Sequence, residues 1–299
     1  MPEEKIACKQ RIEYYLFLSL IQVIRFSPRW ARAWERRLFI FFLKKLDPRH
    51  SRIISNNLQV VFPDKSPEDL TRIKDAVYRH FISILLEIIR TFAQNDMCSI
   101  LERSIIRNGE RLTNALKKNS GLMVISAHFG NWEWIPLLLS HHLGAPINSI
   151  ARPMDNPLIE KKVSEFRTAC GSAIIHKQGS LRKIISLLGK NKVVYMLADL
   201  NTVQREAIFV DFFSHPAATG ITAARLYFKK HIPVIPLFLH YEGERIILEV
   251  LEEIDFPETG NLNNDVFLFT RRINAFIEEA IRKNPEQWFW FHNRWKTQP

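Results

Sequence analysis

His128 and Glu133 lie five residues apart in the run Ala127-His128-Phe129-Gly130-Asn131-Trp132-Glu133-Trp134, which follows the apolar stretch LMVIS and precedes a helical one. On one continuous helix, at about 100° per residue, the two side chains would point about 140° apart, so a turn must bring them together. If His128 ends a strand and Asn131 caps the next helix, Glu133 falls in its first turn. There the helix dipole favours a carboxylate, which can reach back to the imidazole. The neutral ring would then take a proton from a hydroxyl while the acid fixes its tautomer. Gly130 would let the backbone turn closely, and N–H groups at the helix start would receive a developing oxyanion. The chain has no Gly-x-Ser-x-Gly elbow and no cysteine near this run. The expected nucleophile is therefore the substrate's own oxygen.

Such a histidine needs a sheet edge to stand on. After about residue 109 the chain alternates short apolar runs with helical patterns. Strands are expected at 122–127, 147–151, 173–175, 193–198, 234–240 and 246–250, and helices at 132–141, 157–170, 181–188, 217–230 and 266–283. This alternation predicts an α/β fold with a mostly parallel central sheet flanked by helices. Ligands of open α/β sheets gather at the carboxyl ends of strands, which singles out Arg152, Asp199 and the Val234-Ile235-Pro236 run beside His128. Earlier, apolar residues at three- and four-residue steps predict a core-facing helix over 67–95, with Glu87 and Arg90 on its later turns. The organisation expected is an N-terminal basic and apolar part, 1–52, followed by one unit over 53–299: helical to 108, α/β from 109 to 284, and a cap over 285–299.

The chain has 299 residues with a formal charge of +11 and 46% hydrophobic residues, so disorder and low-complexity readings are excluded. Residues 1–52 hold twelve Lys/Arg against five acids, hence +7 of the +11. The uncharged stretch 14–24 is eleven residues long, short of the roughly 20 needed to cross a bilayer. With Trp30 and Trp34 set among arginines and the apolar block 38–43 following, this segment reads as an anchor at an anionic membrane surface, in-plane or partly spanning. It is expected to be retained, because no small-residue cleavage site follows it. The pattern matches no nucleic-acid-binding module, so no nucleic-acid partner is expected. Cys8, Cys98 and Cys170 fall in no metal-ligand spacing, so neither a structural metal nor a disulfide framework is expected.

These residues, taken in order, resemble the bacterial lipid A late acyltransferases, the lauroyl and myristoyl transferase group of the His-x4-Asp/Glu acyltransferases. The likeness runs through Asn57-Leu58 and Phe62-Pro63, the stretch 126–134, Arg152-Pro153 with Asp155-Asn156-Pro157, Ala198-Asp199, 209–213, 234–236 and the terminal 285–296. The chain departs from the family pattern in having Leu200 after Asp199, where Gln is frequent, and Ser214 after the Phe pair, where Gly is frequent. The resemblance implies transfer of a fatty acyl chain from an acyl carrier protein thioester, or from coenzyme A, to a hydroxyl of a membrane glycolipid. It implies no cofactor, and a place on the cytoplasmic face of a bacterial inner membrane. It makes His128 the general base and Glu133 its orienting acid, with Asn131, Arg152 and Asp199 in the substrate site. Phe212 and Phe213, with Ala217, Ala218 and the helix after them, would border an acyl-chain tunnel. An acyl-coenzyme A enzyme acting on lysophospholipid or phosphatidylinositol mannoside is the enzymatic alternative. A non-catalytic lipid-binding scaffold is the alternative of another class.

Overall fold

A computed structural model describes residues 7–176, 180–204 and 207–299. Helices α1 (Cys8–Phe26), α2 (Arg32–Leu46), α3 (Pro48–Val61) and α4 (Pro67–Gln94) come first. Both α3 and α4 start on a side-chain cap followed by proline: Asp47 accepts from the His50 N–H and Ser66 from the Asp69 N–H. The 28-residue α4 is the scaffold of this half. Ile82, Leu86 and Ile89 on its face pack against Ile21 and Ile24 of α1, with Phe39, Ile40 and Leu43 of α2 closing the cluster.

The chain continues through α5 (Met97–Glu102), β1 (Ser104–Arg107), α6 (Glu110–Leu116), β2 (Leu122–Ser126), α7 (Ile135–Leu143), β3 (Ile147–Ala151), α8 (Pro157–Ala169), β4 (Ser172–His176), α9 (Ser180–Leu188) and β5 (Val193–Leu197). It ends with β6 (Ala207–Phe212), β7 (His215–Gly220), α10 (Thr222–Lys230), β8 (Val234–Glu242), β9 (Arg245–Val250) and α11 (Leu262–Lys283). The main sheet has the order β1-β9-β8-β2-β5-β3-β4. From β8 to β4 every pair is parallel, β9 turns back antiparallel on β8, and β1 runs parallel to β9. Helices cover both faces, so each central strand is apolar on both sides: in β2, Met123 and Ile125 enter one core cluster while Leu122 and Val124 enter the other.

The expected α/β architecture is therefore present, with two corrections. The helix expected over 217–230 begins only at Thr222, because residues 215–220 pair with β6 in a separate antiparallel hairpin. Its turn puts Phe213 and Ser214 at φ 51° and 60°. Two consecutive left-handed residues suit a tight hairpin and would suit glycine better. The helix expected from 132 begins as a 3₁₀ turn over Trp132–Trp134 and becomes α-helical at Ile135.

Among the described residues no helix is long and apolar enough to cross a membrane. Instead α1 and α2 turn large apolar side chains to solvent, among them Tyr15, Leu16, Val23 and Phe26 on the first and Trp34, Leu38, Phe41 and Leu46 on the second. Trp30, in the connection between them, is 78% exposed.

Candidate active site

β2 and β5 are neighbours in register, Ser126 opposite Leu197, so the residues just past them meet at the carboxyl edge of the sheet. His128 Nδ1 lies 2.8 Å from Asp199 Oδ1, and the His128 backbone N–H donates to Asp199 Oδ2 at 3.0 Å. Trp288 Nε1–H donates to the same Oδ2 at 2.8 Å. Asp199 is wholly buried and the His128 side chain is 18% exposed. Burial alone would raise the Asp199 pKa. The His128 imidazole and the N–H donors of Trp288 and His128 outweigh it and hold the carboxyl below its ordinary value, hence ionised. An ionised carboxylate only accepts, so the proton it shares with the ring belongs to Nδ1, leaving the Nε2 lone pair free. Nε2 has no partner among the described residues. The ring packs in a triangle with Trp132 and Phe289, whose centroids lie 5.1 and 6.0 Å from it and 5.7 Å from each other.

The carboxylate that orients His128 is thus Asp199, a correction to the expected pairing with Glu133. Glu133 faces the other way, gripped at both oxygens by Arg167 of α8, Nε to Oε2 at 3.0 Å and Nη2 to Oε1 at 2.7 Å. Asn131 is corrected as well. Its backbone carbonyl accepts from Trp134 N–H, but its side chain caps no helix; it donates from Nδ2 to Glu87 Oε2 at 3.2 Å. Glu87 of α4 also accepts from Trp134 Nε1, the Tyr241 hydroxyl and Arg103. Burial favours its neutral form, yet these donors hold its pKa below the ordinary value. What makes Glu87, on a later turn of α4, a hub is the tertiary packing of that helix behind the motif.

The backbone of the motif is clamped by the C-terminal segment. Gly130 N–H donates to the Gln287 carbonyl at 2.8 Å and Phe289 N–H to the His128 carbonyl at 2.9 Å, with Phe129 and Trp288 paired as an antiparallel bridge. The Gly130 amide is therefore engaged within the fold. Gly130 has φ +58°, and a Cβ there would lie 2.0 Å from the Leu239 carbonyl oxygen, so the strand approaches where only hydrogen fits. Gln287 is tied to the backbone of Tyr241 by its side-chain oxygen and nitrogen. His292 accepts the Asn201 N–H, and buried Asn57 of α3 donates to the carbonyls of Trp290 and His292. The terminal aromatic run, expected as a cap, thus supplies one donor and one wall of the site.

This arrangement accompanies a family match across the chain. The bacterial lipid A biosynthesis acyltransferase family matches residues 1–297. The chain belongs to that family, and so to the acyltransferases. A lipid A biosynthesis acyltransferase of Haemophilus influenzae is 25% identical over 87% of this chain and 82% of its own length. The lipid A biosynthesis palmitoleoyltransferase of Escherichia coli is 26% identical over 84% and 80%, respectively. A phosphatidylinositol mannoside acyltransferase of Mycolicibacterium smegmatis is 22% identical over 78% and 74%.

In this acyltransferase the remaining expected site residues are dispersed. Arg152, just past β3, is 80% exposed on the lip of the sheet and pairs with Asp155 at 3.2 Å. Phe212 and Phe213 are packed in the core: Phe212 lies against Trp288 and Trp295 with the Arg294 guanidinium over its ring, and Arg282 covers Phe213. Phe212 backs Trp288, the donor to Asp199, and Phe213 packs on Phe212. No thiol competes as nucleophile at this edge: Cys170 is buried near Glu133 and burial pushes its pKa up to about 12. Arg167 and Glu87 are the members that motif spacing missed, since each comes from a helix whose orientation depends on tertiary packing.

Proposed function

We propose that this acyltransferase moves a fatty acyl chain from an acyl carrier protein thioester to a hydroxyl of a membrane glycolipid, a lipid A precursor, at the cytoplasmic face of a bacterial inner membrane. The observation that carries this reading is the 2.8 Å contact between His128 Nδ1 and Asp199, which leaves Nε2 unpartnered among the described residues on a ring that reaches the surface. Nε2 takes the hydroxyl proton as the oxygen attacks the thioester carbonyl, and Asp199 stabilises the imidazolium that forms. Collapse of the tetrahedral intermediate breaks the C–S bond, and the imidazolium returns its proton to the departing thiolate. The balance closes with one ester and one thiol, and no acyl-enzyme forms. Glu133 and Arg167 hold the turn after His128, while Arg152 on the lip offers a guanidinium fork to a phosphate.

The exposed apolar faces of α1 and α2, interleaved with Arg25, Arg32, Arg36, Arg37 and Lys45, support docking in the plane of an anionic bilayer, where the acceptor resides. Mass spectrometry of membrane lipids from cells with and without the active protein tests acceptor and chain together. A glycolipid heavier by one acyl chain is expected, and unchanged lipids in cells containing folded protein would defeat the proposal. Competition between purified carrier-protein and coenzyme A thioesters decides the donor. The likeness to the mannoside acyltransferase favours one second reading, an acyl-coenzyme A donor with a mannosylated phosphoinositide acceptor, which the same two measurements distinguish.

A further inference from the structure

Away from His128, α2, α3 and α4 line an open cavity of about 370 Å³ that the acyl-transfer chemistry does not use. Its polar wall consists of Lys44 from α2, Ser51, Ser55 and Gln59 from α3, and Thr71, Lys74, Asp75 and Tyr78 from α4. The serines and Gln59 recur at four-residue steps, so one face of α3 presents them together. Lys74 is partly buried and donates to Ser55 Oγ at 2.8 Å, which leaves the Ser55 O–H to point elsewhere. Lys44 bonds Asp75 at 2.5 Å and lies 5.3 Å over the Tyr78 ring, so one carboxylate serves a wall that holds two ammonium groups. Tyr78 is wholly buried, and its hydroxyl faces the Ser51 side chain, although among the described residues it makes no hydrogen bond of ordinary geometry.

We infer that this cavity binds a phosphoryl group, held by Lys74 and Lys44 and by the hydroxyls of Ser51, Ser55 and Tyr78. Two ammonium groups against one lining carboxylate, with several hydroxyl donors beside them, match the needs of a tetrahedral oxyanion. Two sources share that chemistry: free inorganic phosphate and the headgroup of an anionic lipid. The second is within reach, because Lys44 sits on α2, the helix that turns its apolar side chains outward. The inference stands whether or not the acyl-transfer reading holds.

The test uses the full-length protein and two soluble probes, inorganic phosphate and dihexanoyl phosphatidic acid, the latter below its micelle concentration. Calorimetric titration is run on the parent and on Lys74→Met and Tyr78→Phe. Tyr78→Phe removes one donor from the wall and keeps the ring, so the variant should stay folded while its affinity falls about five- to tenfold. Lys74→Met should lose tenfold or more. Tighter binding of the short-chain lipid assigns a headgroup site, and equal or tighter binding of phosphate assigns a phosphate site. Binding of neither probe, or binding unchanged in both variants, overturns the inference.

Discussion

Two carboxylates compete on paper for His128, and burial decides between them. Glu133 is close in sequence but only partly enclosed, and Arg167 already neutralises it. Asp199 is 71 residues away, wholly buried, and surrounded by donors aimed at its two oxygens. Strand order, which spacing along the chain does not encode, is what brings it to the imidazole. Asp199 was legible as a strand-end residue and His128 as a base, whereas their partnership required β2 and β5 to be neighbours. Asp199→Asn should lower kcat by about 10²–10⁴-fold while the protein stays folded, because an amide no longer fixes the ring tautomer or stabilises its cation. Steady-state kinetics on a variant with parental circular dichroism checks this. Because the Asp199 carboxyl is held below its ordinary value, its protonation should contribute no loss of kcat between pH 5 and 8.

At the scale of elements, the site is a strand-end turn pinned from three sides: by the segment after α11, by Glu87 on α4, and by Arg167 on α8. Gly130 is where the pinning is tightest. Gly130→Ala should destabilise the fold by about 2–4 kcal/mol, since the added carbon meets the Leu239 carbonyl and the residue must hold a positive φ. Urea denaturation measures it. The opposite sign is expected at Ser214, whose φ of 60° favours glycine: Ser214→Gly should stabilise by about 1 kcal/mol, seen as a higher melting temperature. The main parallel strands were legible because both-face burial writes them as unbroken apolar runs. The hairpin of β6 and β7 was not, because Pro216-Ala217-Ala218 carries helix-compatible alanines whose strand state is set by pairing with 207–212 and by Arg294 donating to Ala218 and Thr219.

Over the whole molecule, the basic excess and the exposed apolar faces coincide on α1 and α2, so binding to anionic vesicles should weaken as salt rises. Replacing Trp30 and Trp34 by serine should lower the partition coefficient about tenfold or more, read by vesicle sedimentation. Neutral vesicles binding the parent equally well would remove the electrostatic part of this account. Stability should also depend on pH. Burial holds His80 and His292 at about 4 in the fold, against about 6.5 in an unfolded chain. Above pH 6.5 both states leave them neutral; between 6.5 and 4 only the unfolded chain takes up protons, so stability falls as pH drops through that window. For His80 the full extent is about 3 kcal/mol. Urea midpoints from pH 7.5 to 4.5 should show the decline, and His80→Phe should flatten it.

The most direct measurement of the central claim is the turnover of His128→Ala, purified as a folded homogeneous protein, with a carrier-protein acyl thioester and a glycolipid acceptor. A loss of about 10²–10⁴-fold is expected, with melting temperature preserved. Near-parental turnover would show that the proton leaves the acceptor hydroxyl by another route and would contradict the account.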